Sequence, residues 1–252
     1  FNLIPRKKLV KELIQNEKSK RKISKRTKIA TLLILFLIPL TIFIGIYYLG
    51  DKKYYFISLL IILETMIPLG FAFENRKPKA RELVIISALC AIGVAGRTAF
   101  FMLPQFKPVA AIVIISGVAF GGETGFLVGA ITAFVSNFFF GQGPWTPWQM
   151  FSWGMIGFLS GFLIKKNIIN NKTKLYIFGS LTGFIYGWIM NIWTATGTMY
   201  EFSWASFFGL YIASFFPDLT HSIATVIFLR FLYDPWRAKL KRVKLKFGLV
   251  NS

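Results

Sequence analysis

The sequence predicts an all-α integral membrane protein: a six-helix bundle preceded by two extra transmembrane helices, making eight spans with both termini cytoplasmic. Three observations predict it. Of the 252 residues, 55% are hydrophobic and only 16% charged, whereas a soluble domain carries about a quarter charged residues. A water-soluble fold of this size cannot readily hide 28 phenylalanines. Next, eight apolar segments can be drawn, at roughly 29–50, 54–72, 82–101, 108–121, 123–140, 150–165, 173–197 and 206–232. Most supply the roughly 20 residues that a crossing needs. Lastly, the basic residues fall between these segments on alternate sides. With the N-terminus inside, 26 of the 30 Lys and Arg lie in cytoplasmic stretches, 11 of them in residues 1–28. Lys52, Lys53, Arg97 and Lys107 are the exceptions. The positive-inside rule favours this orientation.

Each element follows in order. Residues 1–28 form a basic cytoplasmic tail. The apolar run behind it superficially resembles a signal peptide, but it is too long for that and no small-residue cleavage pattern follows, so it reads as a span that stays. Segments 29–50 and 54–72 are rich in Ile and Leu, with Glu64 their only interior acid; they make a two-helix appendage over 29–81. From residue 82 the chain is richer in Gly, Ala, Trp and polar residues, and 82–232 is read as the six-helix substrate-binding bundle. Residues 233–252 are a second basic cytoplasmic tail. Small residues let helices approach closely in lipid. Ser87, Ala91 and Ala95 share one face at four-residue spacing, and Gly121, Gly122, Gly125 and Gly129 mark close crossings. Segments 108–121 and 150–165 are short, so they tilt little, borrow flanking residues or bury part of their backbone within the bundle.

Several function classes are excluded. The net charge of +20 lies in loops and tails, which argues against nucleic acid and suits anionic lipid at the cytoplasmic face. Cys90 is the single cysteine and His221 the single histidine, so neither a disulfide nor a metal site is expected, and no cofactor motif is present. There is no glycine-rich nucleotide loop and no supported Ser-His-Asp set. Intramembrane acids are too few for a typical proton-driven carrier. What fits is a binding or transport subunit whose energy comes from partners, with no catalytic residues of its own.

The stretch FFFGQGPWTPWQMFSWGM, residues 138–155, carries no charge and sits between apolar runs. An interfacial aromatic belt explains its tryptophans but explains the accompanying amides and prolines less well. Rigid aromatics with convergent amides are how a largely apolar pocket holds an organic ligand. The candidate substrate-binding residues are therefore Gln105, Asn137, Gln142, Trp145, Trp148, Gln149, Trp153, Asn191, Trp193 and Trp204. Arg97 joins them, because a charge within a span faces a cavity, a partner or the headgroups; Glu201 and Asp218 are its possible ion-pair partners. Asp218 and His221 are three residues apart on one helical face, and Pro217 disturbs the hydrogen-bond ladder before them. The pair reads as a cavity wall, as a polar packing pair, or as the acid–base pair of an intramembrane enzyme. A membrane scaffold or assembly protein is the other alternative.

From about residue 82 the chain resembles the substrate-binding S components of energy-coupling factor (ECF) vitamin transporters. The resembling stretches are RELVIISALCAIGVAGRTAFF, FKPVAAIVIISGVAFGGETGFLVGAITAFVSNFFFGQGPWTPWQMFSWGMIGFLSG and FPDLTHSIATVIFL. The resemblance implies a bacterial cell membrane location and a six-helix protein that captures a micronutrient from outside. It also implies a transmembrane coupling subunit and two cytoplasmic ATPase subunits as partners. The family's small-residue pattern on its first helix matches Ala91 and Ala95, extended by Ser87, as the coupling-subunit contact. The appendage is the departure from the family pattern. Loop 141–149 is similar to a subgroup associated with cobalamin and related corrinoids, although the same residues suit a flavin, a pterin or a queuosine precursor. Strongly anionic substrates are less favoured, with Arg97 and Lys107 the only cations near the outer side.

Overall fold

In a computed structural model, residues 25–49, 54–73, 80–198 and 203–246 are described. All regular elements among them are helices. The first span is α1 (Lys25–Leu32), a π-helical turn (Leu33–Leu37) and α2 (Ile38–Leu49) in one run. Then come α3 (Tyr54–Phe73), α4 (Ala80–Ala99), α5 (Val109–Phe120), α6 (Gly122–Phe140), α7 (Thr146–Lys165), α8 (Lys172–Thr198), α9 (Trp204–Ala213) and α10 (Phe215–Lys246). Seven of the eight expected segments correspond to one helical run each. Both tail ends, the 74–79 connection and Glu201 lie outside the described residues.

The eighth segment differs from expectation. It breaks at Ser214, a single turn residue, into α9 and α10, because Pro217 has no N–H to return to the Ala213 carbonyl four residues before it. Pro217 therefore sits in the first turn of α10, where a missing N–H costs nothing, and Asp218 and His221 lie at the start of a helix instead of midway along one. Among the described residues, three stretches are long and apolar enough to cross a membrane: Gly122–Phe140, Lys172–Ala195 and the α9–α10 run Trp204–Val243. The two short segments take different courses. α7 borrows Thr146 to Gln149 from the aromatic loop and reaches 20 residues, about 30 Å. α5 stays at 12 residues, about 18 Å. It is apolar all round and buried from Val109 to Gly117, as befits a post inside a bundle. α4, α6, α7, α8 and α10 all touch it.

Glycine sets the closest crossings. Gly121, at φ +98°, breaks the chain between α5 and α6. A Cβ on Gly125 would stand 2.7 Å from the Gly117 Cα and against the Gly157 carbonyl; one on Gly129 would meet the Trp153 backbone. The obstructing atoms are backbone, so they cannot swing aside. We expect Gly157→Val to lower the stability of the detergent-solubilised protein by roughly 3 kcal/mol or more, read as a drop in its thermal unfolding midpoint. On the other side, Gly183 and Gly187 of α8 let α10 approach, with Gly187 lying directly against the Asp218 carboxylate.

The appendage has a defined seat. Ile34, Ile38 and Ile42 of the first span and Ile57 and Ile61 of α3 are buried, each set at four-residue spacing. Gly45 lets Ile57 approach α2 closely, and Thr41 Oγ1 donates to Glu64 Oε1 at 2.5 Å. α3 packs on α6 and α7, and α2 reaches α7. Ser87, Ala91 and Ala95 of α4 remain exposed.

Candidate functional site

Arg97, near the end of α4, is the only buried cation among the described residues, with 9% of its surface exposed. Its Nη1 donates to Ser136 Oγ and to Asn137 Oδ1, both at 2.6 Å. The guanidinium lies 4.2 Å from the Phe140 ring centroid and 5.0 Å from that of Trp153. It does not snorkel, and among the described residues no carboxylate pairs with it. Lys107 Nζ also approaches the Phe140 ring, at 5.5 Å, while donating to the Leu103 carbonyl. Partial burial and the neighbouring Arg97 hold this loop ammonium below the usual lysine range.

Asn137 also begins the ordering of the aromatic loop. Its Nδ2 donates to Thr146 Oγ1 at 3.0 Å. The Thr146 hydroxyl donates to Gln142 Oε1 at 2.9 Å and accepts from the Gly143 N–H at 3.3 Å. Gln142 Nε2 donates to the Phe134 carbonyl at 2.8 Å. Thr146 is fully buried and is the hub that holds loop 141–145 to the end of α6.

Along α7 the side chains separate by helical phase. Gln149 and Trp153, four residues apart, face α8. Gln149 Nε2 donates to Tyr186 Oη at 2.7 Å, and Trp153 stacks on Tyr186 at 5.6 Å between centroids and 22° between planes. His221 of α10 meets the other side of this group, edge-on to Tyr186 at 4.9 Å. One contiguous cluster thus joins α4, α6, α7, α8 and α10. Four of its buried polar atoms have no hydrogen-bond partner: Arg97 Nε, Gln149 Oε1, Trp153 Nε1 and His221 Nδ1. Buried polar atoms are nearly always paired, and among the described residues Ser58 Oγ, Glu64 Oε2, Thr132 Oγ1, Trp148 Nε1 and Trp193 Nε1 share this state elsewhere in the fold.

The other sequence candidates lie elsewhere. Trp148 is about 100° round α7 from Gln149 and turns away from the cluster. It meets Phe43 of α2 edge-to-face, at 5.1 Å and 89°, a contact that sequence periodicity could not supply. Gln142 is spent within the loop. Trp145 packs edge-on against Trp193 at 5.8 Å. Asn191 Nδ2 donates to Ser214 Oγ at 2.8 Å, and Ser214 Oγ lies 2.9 Å from Asp218 Oδ2 as a donor. These three residues make a polar set at the α8–α10 crossing, and among the described residues no hydrogen bond joins Asp218 to His221. Gln105 is exposed on a loop at φ +56°, and Trp204 is exposed on α9, stacked on Phe208. Sequence reading missed Ser136, Phe140, Thr146 and Tyr186. Only Thr146, which precedes a proline at a helix start, carried a local signal.

A bundle of long and short apolar helices is the architecture of a multi-pass membrane protein. The chain belongs to the ECF-type riboflavin transporter S component family, whose model matches residues 77–234. It is a multi-pass bacterial membrane protein; the members of that family are vitamin-type substrate-binding subunits and not themselves catalytic. Members of this family work with an ATPase and transmembrane coupling module. Among curated relatives, UPF0397 proteins of Aliivibrio fischeri strains MJ11 and ES114 are each 33% identical over 99 residues, 36% of this chain and 54% of the relative. A UPF0397 protein of Aliivibrio salmonicida is 32% identical over 110 residues, 39% of this chain and 60% of the relative. The chain thus spans about half the length of the curated relatives it matches. No solved structure matches it.

Proposed function

We propose that this chain captures a vitamin carrying a planar heteroaromatic ring at the outer face of the membrane. The ring lies against the Trp153–Tyr186 stack, and its polar edge takes up Arg97, Gln149 and His221. The observation that carries this reading is the buried Arg97, which has no carboxylate partner among the described residues and an unspent Nε. A buried cation without a counter-charge is expensive, and a ligand's carbonyl oxygens or single negative charge offset that cost. The convergence of Arg97 and Lys107 on Phe140 supports the same chemistry and relaxes the expectation against anionic substrates. A flavin, the ligand in the family's description, meets these requirements.

The corrinoid expectation rested on the likeness of loop 141–149 to a corrinoid subgroup and on its tryptophans and amides, and one of those amides, Gln142, is tied to Phe134 and Thr146. It therefore stands as the competing outcome of one experiment. The protein purified in detergent is examined by ultraviolet–visible spectroscopy and by mass spectrometry of released small molecules, then titrated with a vitamin panel that includes riboflavin and cobalamin. A stoichiometric flavin supports the proposal; a stoichiometric corrinoid overturns the ring assignment; no binding to any member moves the chain toward a scaffold role.

On this reading 82–232 is the binding bundle with 29–81 as its appendage, and the basic tails hold anionic lipid. Exposed Ser87, Ala91 and Ala95 face the coupling subunit, which two ATPases drive. The intramembrane-enzyme alternative loses its support, because Asp218 is directed to Ser214 and His221 to Tyr186.

A further inference from the structure

We propose that the N-terminal helix pair is a positioning element for the ligand site, acting through Phe43 of α2 against Trp148 of α7. The inference rests on the reading of the Gln149–Trp153–Tyr186–His221 cluster as the place where the vitamin binds.

The first turns of α7 are held from two sides. Gln149 and Trp153 look inward to Tyr186. Trp148, adjacent in sequence and only 4% exposed, looks outward to Phe43. A helix can rotate about its axis unless contacts on more than one face fix it. Any rotation of α7 that moved Trp148 would carry Gln149 Oε1 and Trp153 Nε1 with it, since all three ride on the same two turns of one helix. Phe43 blocks that movement only if it is itself fixed, and three features fix it. Thr41, two residues earlier, is hydrogen-bonded to Glu64 of α3. Gly45, two residues later, is pressed against Ile57. The isoleucine faces of the pair are buried at 0–1% exposure. α3 in turn rests on α6 and α7. Phe43 is the one described side chain of α2 in ring contact with the bundle, by the edge-to-face contact with Trp148; it is 50% exposed, much as Ile44 beside it is at 47%, so that contact and not burial distinguishes the two.

The test is a ligand titration of the full chain, by fluorescence or calorimetry with riboflavin first and the rest of the panel after it. It records dissociation constant, dissociation rate and binding-competent fraction separately. Phe43→Ala is expected to raise Kd about tenfold, mainly through faster release, with the competent fraction and melting temperature unchanged. Phe43→Tyr, which keeps the ring edge, should restore wild-type affinity, and Ile44→Ala should leave it untouched. An unchanged Kd in Phe43→Ala overturns the proposal. So does a reduced competent fraction at constant Kd, which would make the pair a stabiliser only. A wild-type chain that binds no panel member fails at the ligand-site reading itself, and the positioning role falls with it.

Discussion

Replacing Arg97 with Met is expected to weaken vitamin binding by about a hundredfold or more while leaving the ligand-free protein close to wild-type stability. The two halves of this result come from one fact. In the ligand-free state the guanidinium sits in an apolar surround with no carboxylate among the described residues. Its charge is held only by Ser136, Asn137 and the faces of Phe140 and Trp153. Removing it strands the Asn137 carbonyl, a cost of about 1–3 kcal/mol, but relieves the burial of an unpaired ion, an opposing term of similar or larger size. The bound state has no such compensation, since truncating one partner of a buried, hydrogen-bonded charge contact costs about 2–5 kcal/mol. Arg97→Lys keeps the charge but loses the unspent Nε and the planar guanidinium that lies over Phe140 and Trp153, so a loss of about tenfold is expected. Titration and thermal unfolding on the same preparations check both halves. Wild-type affinity in the Met variant would make Arg97 a packing residue and remove the main support for the proposed site.

How much of this site was legible beforehand depends on the residue. Arg97, Asn137 and Gln149 stood out because polar groups within apolar runs must find a partner. Their link to Tyr186, direct for Gln149 and by way of Trp153 for Arg97, was not legible, since one tyrosine among 9 tyrosines, 7 tryptophans and 28 phenylalanines carries no local mark. The direction of Trp148 depended on where α7 begins. With the segment drawn from 150, its helical phase was undefined; with α7 starting at Thr146, Trp148 and Gln149 point to different neighbours. The break at Ser214 was hidden for the opposite reason. Mean hydropathy stays high over Trp204–Val243, so only Pro217 marked the break, and a one-residue turn between two helices leaves the sum unchanged. The spans themselves were legible because hydropathy is a sum over about 20 residues and tolerates error at any one.

Thr146→Val is expected to produce the second largest effect, through a different route. Valine matches threonine in shape, so packing is preserved and only hydrogen bonds are lost. The hydroxyl serves two buried groups and one half-buried group: it accepts from the Asn137 amide and the Gly143 N–H and donates to Gln142 Oε1. Each group left unsatisfied costs about 1–3 kcal/mol, although water entering from the loop side offsets part of that, and a net destabilisation of about 2–4 kcal/mol is expected. Asn137, freed from Thr146, no longer presents its carbonyl firmly to Arg97, and loop 141–145 is no longer fastened to the end of α6. Ligand affinity should therefore fall about tenfold or more, with the change concentrated in the dissociation rate, because association needs only an open site whereas retention needs the loop held down. Thr146→Ser, which keeps the hydroxyl, should recover most of both losses. Stopped-flow dissociation and thermal unfolding of the three proteins distinguish the outcomes. A Val variant with normal stability and normal release would mean that the loop is held by its tryptophans and prolines, with the hydroxyl network contributing little.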